Sequence, residues 1–143
     1  ILDIPKMDVT LPLYLGATQE KMAKGAVMLG QTSFPVQGTD SNCVIAAHRG
    51  YRGIPYFRDI EQLKTGDQVI IKNPWERLDY RVTKIKVIDP YDFDKILIQK
   101  GNDMVTLLTC HPYRGHGRYR YVVYCHYTIN KINTLCTIYK NKY

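Results

Sequence analysis

The sequence predicts a mostly β protein, a closed or partly closed barrel of about seven or eight strands with two or three short helices. Segments rich in Val, Ile, Thr and Tyr recur along the chain between Gly, Pro, Asn and Asp punctuation. Stretches with helical periodicity are few and short. The order of elements also lacks the regular strand–helix alternation of a parallel α/β fold, which leaves a mostly antiparallel barrel as the best fit.

Ile4 to Tyr14 alternates partly between apolar and polar residues, with prolines suited to edges and strand ends, and reads as two short strands. Thr18 caps a short helix expected to run to about Leu29, with Gly30 as its stop. After a turn-rich segment from Thr32 to Asn42, the small apolar run Cys43 to Ala47 reads as a buried strand emptying into His48-Arg49-Gly50. Pro55 opens a second helix, in which Phe57, Ile60 and Leu63 recur at a three-residue step and Gly66 ends it. Gln68 to Lys72 and Leu78 to Ile88 form a hairpin around Asn73-Pro74, the second strand alternating Tyr80, Val82 and Lys84 against Arg81, Thr83 and Ile85. Met104 to Cys110 is a near-continuous apolar run of the kind covered on both faces, and Arg120 to Tyr127 is a further strand.

At 143 residues, with 45% hydrophobic and 23% charged side chains, the chain suits a single folded domain. Its net charge of +7 favours acidic partners, but no basic block or basic helix appears, and the 12 tyrosines fall in strand-like segments. No nucleic-acid partner is expected. No apolar run reaches the roughly 18 to 20 residues that span a bilayer. Zinc is also not expected: Cys110-His111, His116 and Cys125-His126 cluster in sequence, but without the Cys-x-x-Cys or His-x-x-x-His pairs of structural sites. No cofactor is called for. Of the four cysteines, Cys43 and Cys125 are expected as free thiols on strands flanking that of Cys110.

A cysteine attacks as its thiolate and needs a basic or cationic neighbour to do so near neutral pH. Cys110 closes one apolar strand and His48 closes another, so neighbouring strands would bring both to one rim. The imidazole carries protons to a leaving amine and from an incoming one. An arginine supplies a permanent donor fork for a developing oxyanion, and Arg114, Arg118 and Arg120 all follow Cys110 closely. Taken singly these are bland residues, since a strand-end cysteine is most often a small buried hydrophobe.

Thr106-Leu107-Leu108-Thr109-Cys110 with Pro112-Tyr113, Ala47-His48-Arg49-Gly50 upstream and Arg120-Tyr121-Val122-Val123 downstream resembles the sortases of Gram-positive bacteria, and within them the pilus-assembling class C group. Lys24-Gly25-Ala26, Phe57-Arg58-Asp59-Ile60 and Lys64-Thr65-Gly66-Asp67 extend the likeness over most of the chain. The resemblance implies a sortase-type closed β-barrel, with residues 1–143 forming a single catalytic domain and the membrane anchor and any N-terminal lid lying outside this chain. It implies a cysteine transpeptidase that cleaves a Leu-Pro-x-Thr-Gly-like sorting signal, holds the acyl group as a thioester and passes it to a pilin lysine or, in the wall-anchoring alternative, to a peptidoglycan precursor. Cys110 is then the nucleophile, His48 the acid/base and Arg120 the stabilising arginine, with Arg118 its rival. The enzyme is expected at the extracellular face of the cell membrane, and a non-enzymatic wall-binding module is the distant alternative. Two departures stand out: Asp89-Pro90-Tyr91 has the letters of the group's lid motif in another place, and His111 stands where the group commonly has threonine, in a loop about one residue longer.

Overall fold

The computed structural model describes residues 1–30, 32 and 40–128. The turn-rich segment falls mostly outside the described residues, as does Cys136. Among them, nine strands form one sheet: β1 (Leu2–Ile4), β2 (Val9–Leu11), β3 (Leu13–Leu15), β4 (Ala26–Met28), β5 (Ser41–Ala46), β6 (Gln68–Lys72), β7 (Arg77–Ile88), β8 (Asp103–His111) and β9 (Tyr119–Tyr127). Their order is β2-β1-β6-β7-β9-β8-β5-β4-β3, parallel at β3/β4 and β5/β8 and antiparallel elsewhere.

The two edges of this sheet, β2 and β3, are consecutive in the chain with Pro12 alone between them. The sheet must therefore curl until its edges almost meet, which makes it a nearly closed barrel. Pro12 suits the seam because it has no N–H to leave unpaired, while its carbonyl accepts from Ala26 N at 3.0 Å. Gly25 is required beside it, since a Cβ there would lie 2.6 Å from the Pro12 oxygen.

Three local expectations are corrected. The opening holds three short strands rather than two, with a 3-10 turn at Pro5–Met7. Thr18 does cap a helix, its Oγ1 accepting from Lys21 N at 3.2 Å, but α1 spans only Gln19–Met22. The buried Ala26–Met28 leaves the helix to fill the gap between β3 and β5 as a strand, a case of tertiary pairing overriding local propensity. The segment after Pro55 is not an α-helix. Arg58, Ile60 and Leu63 donate to carbonyls three residues back, so the three-residue recurrence of Phe57, Ile60 and Leu63 reports 3-10 geometry, and all three side chains are buried.

The barrel interior is packed by Leu2, Ile4, Phe57, Ile60, Ile71, Leu78, Tyr80, Val105, Leu107 and Val123, among others. A second, smaller cluster lies on the outer face, where Ile88, Met104, Val122 and Tyr124 receive Ile96 and Leu108. The two faces are set in phase by a β-bulge between Val82 and Lys84. Val82 pairs with the buried Cys125, but Lys84 pairs with Tyr124 and Ile85 with Val123, so beyond Thr83 the simple alternation expected for β7 is shifted by one residue.

Candidate active site

β5 and β8 run parallel with a constant offset, from Ser41 opposite Asp103 to Ala46 opposite Leu108. Extending that register by two residues brings His48 level with Cys110. The chain is tied at this point by two bonds: Ala47 N donates to Leu108 O at 3.3 Å, and the buried Thr109 Oγ1 donates to Ala47 O at 2.7 Å. His48 itself is half-buried. Its ring stacks on Tyr51 at 4.7 Å and 14° and meets the edge of Tyr56 at 6.4 Å, while Phe57 N donates to its carbonyl. Tyr56 is fixed in turn by donating its hydroxyl to Ala23 O at 2.8 Å.

On its other side β8 pairs with β9, and Cys110 lies directly opposite Arg120. Register partners point to the same face, so thiol and guanidinium share the outer surface. Arg120 Nη1 donates to the carbonyls of Gly117 (2.7 Å) and Tyr119 (3.0 Å), which aims the fork along the rim. Arg118 falls outside β9, exposed in the preceding loop, and Arg114 lies over the ring of Tyr113. Gly117 turns this loop back onto the thiol with a φ of 69°, and a Cβ there would stand 3.4 Å from Cys110 Sγ and 3.3 Å from Arg120 Nη1. The sequence marked the loop as glycine-punctuated but did not single out Gly117.

A groove of about 610 Å³ runs along the outer face to Arg120, lined by Ile88, Phe93, Ile96, Leu97 and Leu108. One wall is the 3-10 turn Phe93–Ile96 in the β7–β8 connection. That wall is pinned to the sheet: Tyr124 Oη donates to Lys95 O at 2.6 Å, and Asn42 Nδ2 donates to Ile96 O at 3.0 Å. Thr106 Oγ1 donates to the Asn42 oxygen and fixes the amide. Sequence reading missed this groove, although the exposed Phe93, Leu97 and Ile98, apolar residues in a loop, were its signal. Pro90 of the lid-like letters lines the groove, and Tyr91 beside it is exposed.

The other two described cysteines are free, buried and of another kind. Burial pushes the Cys43 thiol up to about 12 and raises that of Cys125 as well, whereas Cys110 is exposed. Both sit opposite Val105, which separates them by two strand spacings, about 9.5 Å, too far for a disulfide. The strands carrying them do flank β8.

Residues 2–128 match the sortase domain, and the chain belongs to the sortase family. Among solved structures it is similar to a sortase C of Streptococcus pneumoniae, with 35% identity and a TM-score of 0.87 over 90% of this chain and 67% of that one. It is equally close to a pilus-related sortase C of Group B Streptococcus, with 37% identity and the same TM-score over 91% and 66%. Sortase D of Bacillus subtilis is 29% identical over 126 residues, 87% of this chain and 61% of that protein. The chain thus spans about three fifths of the length of that curated relative. No helix among the described residues is long and apolar enough to cross a membrane.

Proposed function

We propose that this domain is the catalytic part of a pilus-building sortase, held at the extracellular face of the membrane by segments outside this chain. The observation that carries the reading is that Cys110 on β8 lies opposite Arg120 on β9 at the end of an apolar groove, with His48 two residues past the end of β5, the parallel neighbour of β8. The groove suits the Leu and Pro side chains of a Leu-Pro-x-Thr-Gly-like signal, whose threonine carbonyl would then arrive between Cys110 and Arg120.

The steps follow from the groups present. Cys110 Sγ attacks the threonine carbonyl as thiolate while His48 holds the proton. The guanidinium of Arg120, fixed through Nη1, offers its remaining donors to the oxyanion, and among the described residues Nε and Nη2 have no protein partner. As the tetrahedral intermediate collapses, the C–N bond breaks, His48 gives its proton to the departing glycine amine and a thioester remains on Cys110. An incoming amine attacks the thioester, loses a proton to His48 and expels the thiolate. We favour Arg120 over Arg118 because it alone is a register partner of Cys110.

A pilin lysine as the acceptor amine is supported by the pilus-related and pilin-specific sortase C structures. Incubation with a sorting-signal peptide, followed by mass spectrometry, is expected to show the acyl adduct on Cys110. Added pilin is expected to yield lysine-linked ladders. A ladder absent while a diglycine amine is consumed points to wall anchoring, and hydrolysis alone in excess amine points to a peptidase.

A further inference from the structure

The outer row of β8 ends at Cys110, and the inner row ends one residue later at His111, beside a cluster that the transfer steps above do not use. At its centre is Arg49, the neighbour of His48, only 7% exposed. Arg49 Nε donates to Arg58 O at 2.9 Å, Nη2 pairs with Glu61 Oε1 at 3.3 Å, and Nη1 donates to the carbonyl of Cys110 at 3.0 Å. Its guanidinium also lies 5.7 Å from the centre of the Tyr121 ring. His111 closes the cluster: Nδ1 is 3.2 Å from the same Glu61 oxygen and 3.5 Å from Arg49 Nη1, and its ring packs against Tyr121 at 5.4 Å.

The bond to Cys110 has a particular place in the sheet. The last rung of the parallel β5–β8 ladder runs from Ala47 N to Leu108 O. In a parallel ladder the next would run from Arg49 N to Cys110 O. The chain turns away at His48, so that rung is not made by backbone. The Arg49 side chain makes it instead. His48 can therefore leave the strand for its stack on Tyr51 while the peptide of Cys110 stays held as though β5 continued.

We propose that Arg49, braced by Glu61 and His111, is a positioning residue that fixes the Cys110 thiol for attack; this rests on Cys110 being the nucleophile. A planar fork with bonds in three directions resists rotation as an ammonium does not, and a cationic donor makes the stronger bond to a carbonyl. Loosening it lets the end of β8 shift, and displacement of a reacting atom by about 1 Å can cost up to about a hundredfold in rate. The peptide groove, on the opposite face, is left as it was.

The test measures thioester formation on Cys110 with a sorting-signal peptide by rapid-quench mass spectrometry, alongside peptide KM and melting temperature, for Glu61→Ala, Glu61→Gln and Arg49→Lys. Glu61→Ala is expected to slow acylation about tenfold with KM within about twofold, and Glu61→Gln, which keeps an oxygen for Arg49, to restore most of the loss. Arg49→Lys is expected to slow it at least as much, and the double variant Arg49→Lys/Glu61→Ala to fall little further, because both act through one bond. Glu61 is 53% exposed, so its variants decide the matter even if Arg49→Lys does not fold. Parent-like acylation in Glu61→Ala, a loss carried by KM, or a loss that only follows the unfolded fraction overturns the positioning role. A parent that forms no adduct on Cys110 sinks the nucleophile assignment and this role with it, whereas an adduct formed equally fast in every variant sinks this role alone.

Discussion

One face of β8 looks into the barrel and the other looks out, and the two have opposite duties although they alternate along nine residues. The inner row, Val105, Leu107 and Thr109, is buried among core side chains and bonded to Ala47. The outer row runs through Met104 and Thr106 to Leu108, which lines the groove, and ends at Cys110 in an exposed thiol. The cysteines repeat the contrast, since Cys43 and Cys125 on the inner side are held protonated by burial. A period of two thus lets a rigid strand present an exposed thiol on one side without exposing its core on the other.

The contrast can be broken by substitution. Replacing Cys110 with Ala is expected to abolish thioester formation, a loss of at least about a thousandfold in turnover, with an unchanged melting temperature; measurable adduct in that variant would move the nucleophile elsewhere. Arg120→Ala is expected to lower turnover by about a hundred to a thousandfold, the scale of losing one oxyanion donor, and Arg118→Ala to leave it nearly intact. Reversed magnitudes in that pair of assays assign the role to Arg118.

Leu107 and Leu108 are the sharpest comparison, being adjacent and on opposite faces. Leu107→Ala is expected to cost about 2–5 kcal/mol in urea unfolding while folded molecules keep their peptide KM. Leu108→Ala is expected to cost less stability and to raise KM. Equal behaviour of the two would mean that the outer face is merely a second core.

The smallest effect concerns pH. The folded state raises the Cys43 thiol from 9.0 to about 12, so the unfolded chain releases that proton first. The stability linked to this thiol is fully present below about pH 9 and is lost as pH rises from there toward 12, with Cys125 acting in the same sense. Urea midpoints measured from pH 8 to pH 11 are expected to decline; a flat series argues against buried neutral thiols.

Much of this architecture is legible in the chain because its signals are local. The hairpin strands at Gln68 and Leu78, the run to Cys110 and the run after Arg120 each state their own period, and His48 and Cys110 each close such a run. What sequence hides is set by contacts between distant segments. Ala26–Met28 has helix-compatible letters and becomes a strand only because β3 and β5 need a partner between them. The three-residue step after Pro55 was visible, but its meaning as a 3-10 run depends on hydrogen bonding. The groove was equally hidden, since Asn42 and Tyr124 hold its wall from strands far from it in the chain.

The extra residue at Thr83 divides β7 into two halves with different grammars. Before it, even-numbered side chains such as Tyr80 and Val82 belong to the interior; after it, the odd-numbered Ile85 packs against the interior, and the even Lys84, Lys86 and Ile88 belong to the outside. Without that shift the lysines would be driven into the barrel and Ile85 into water. The outer wall from which the groove rises therefore depends on one unpaired residue several turns of the pleat away from the thiol it serves.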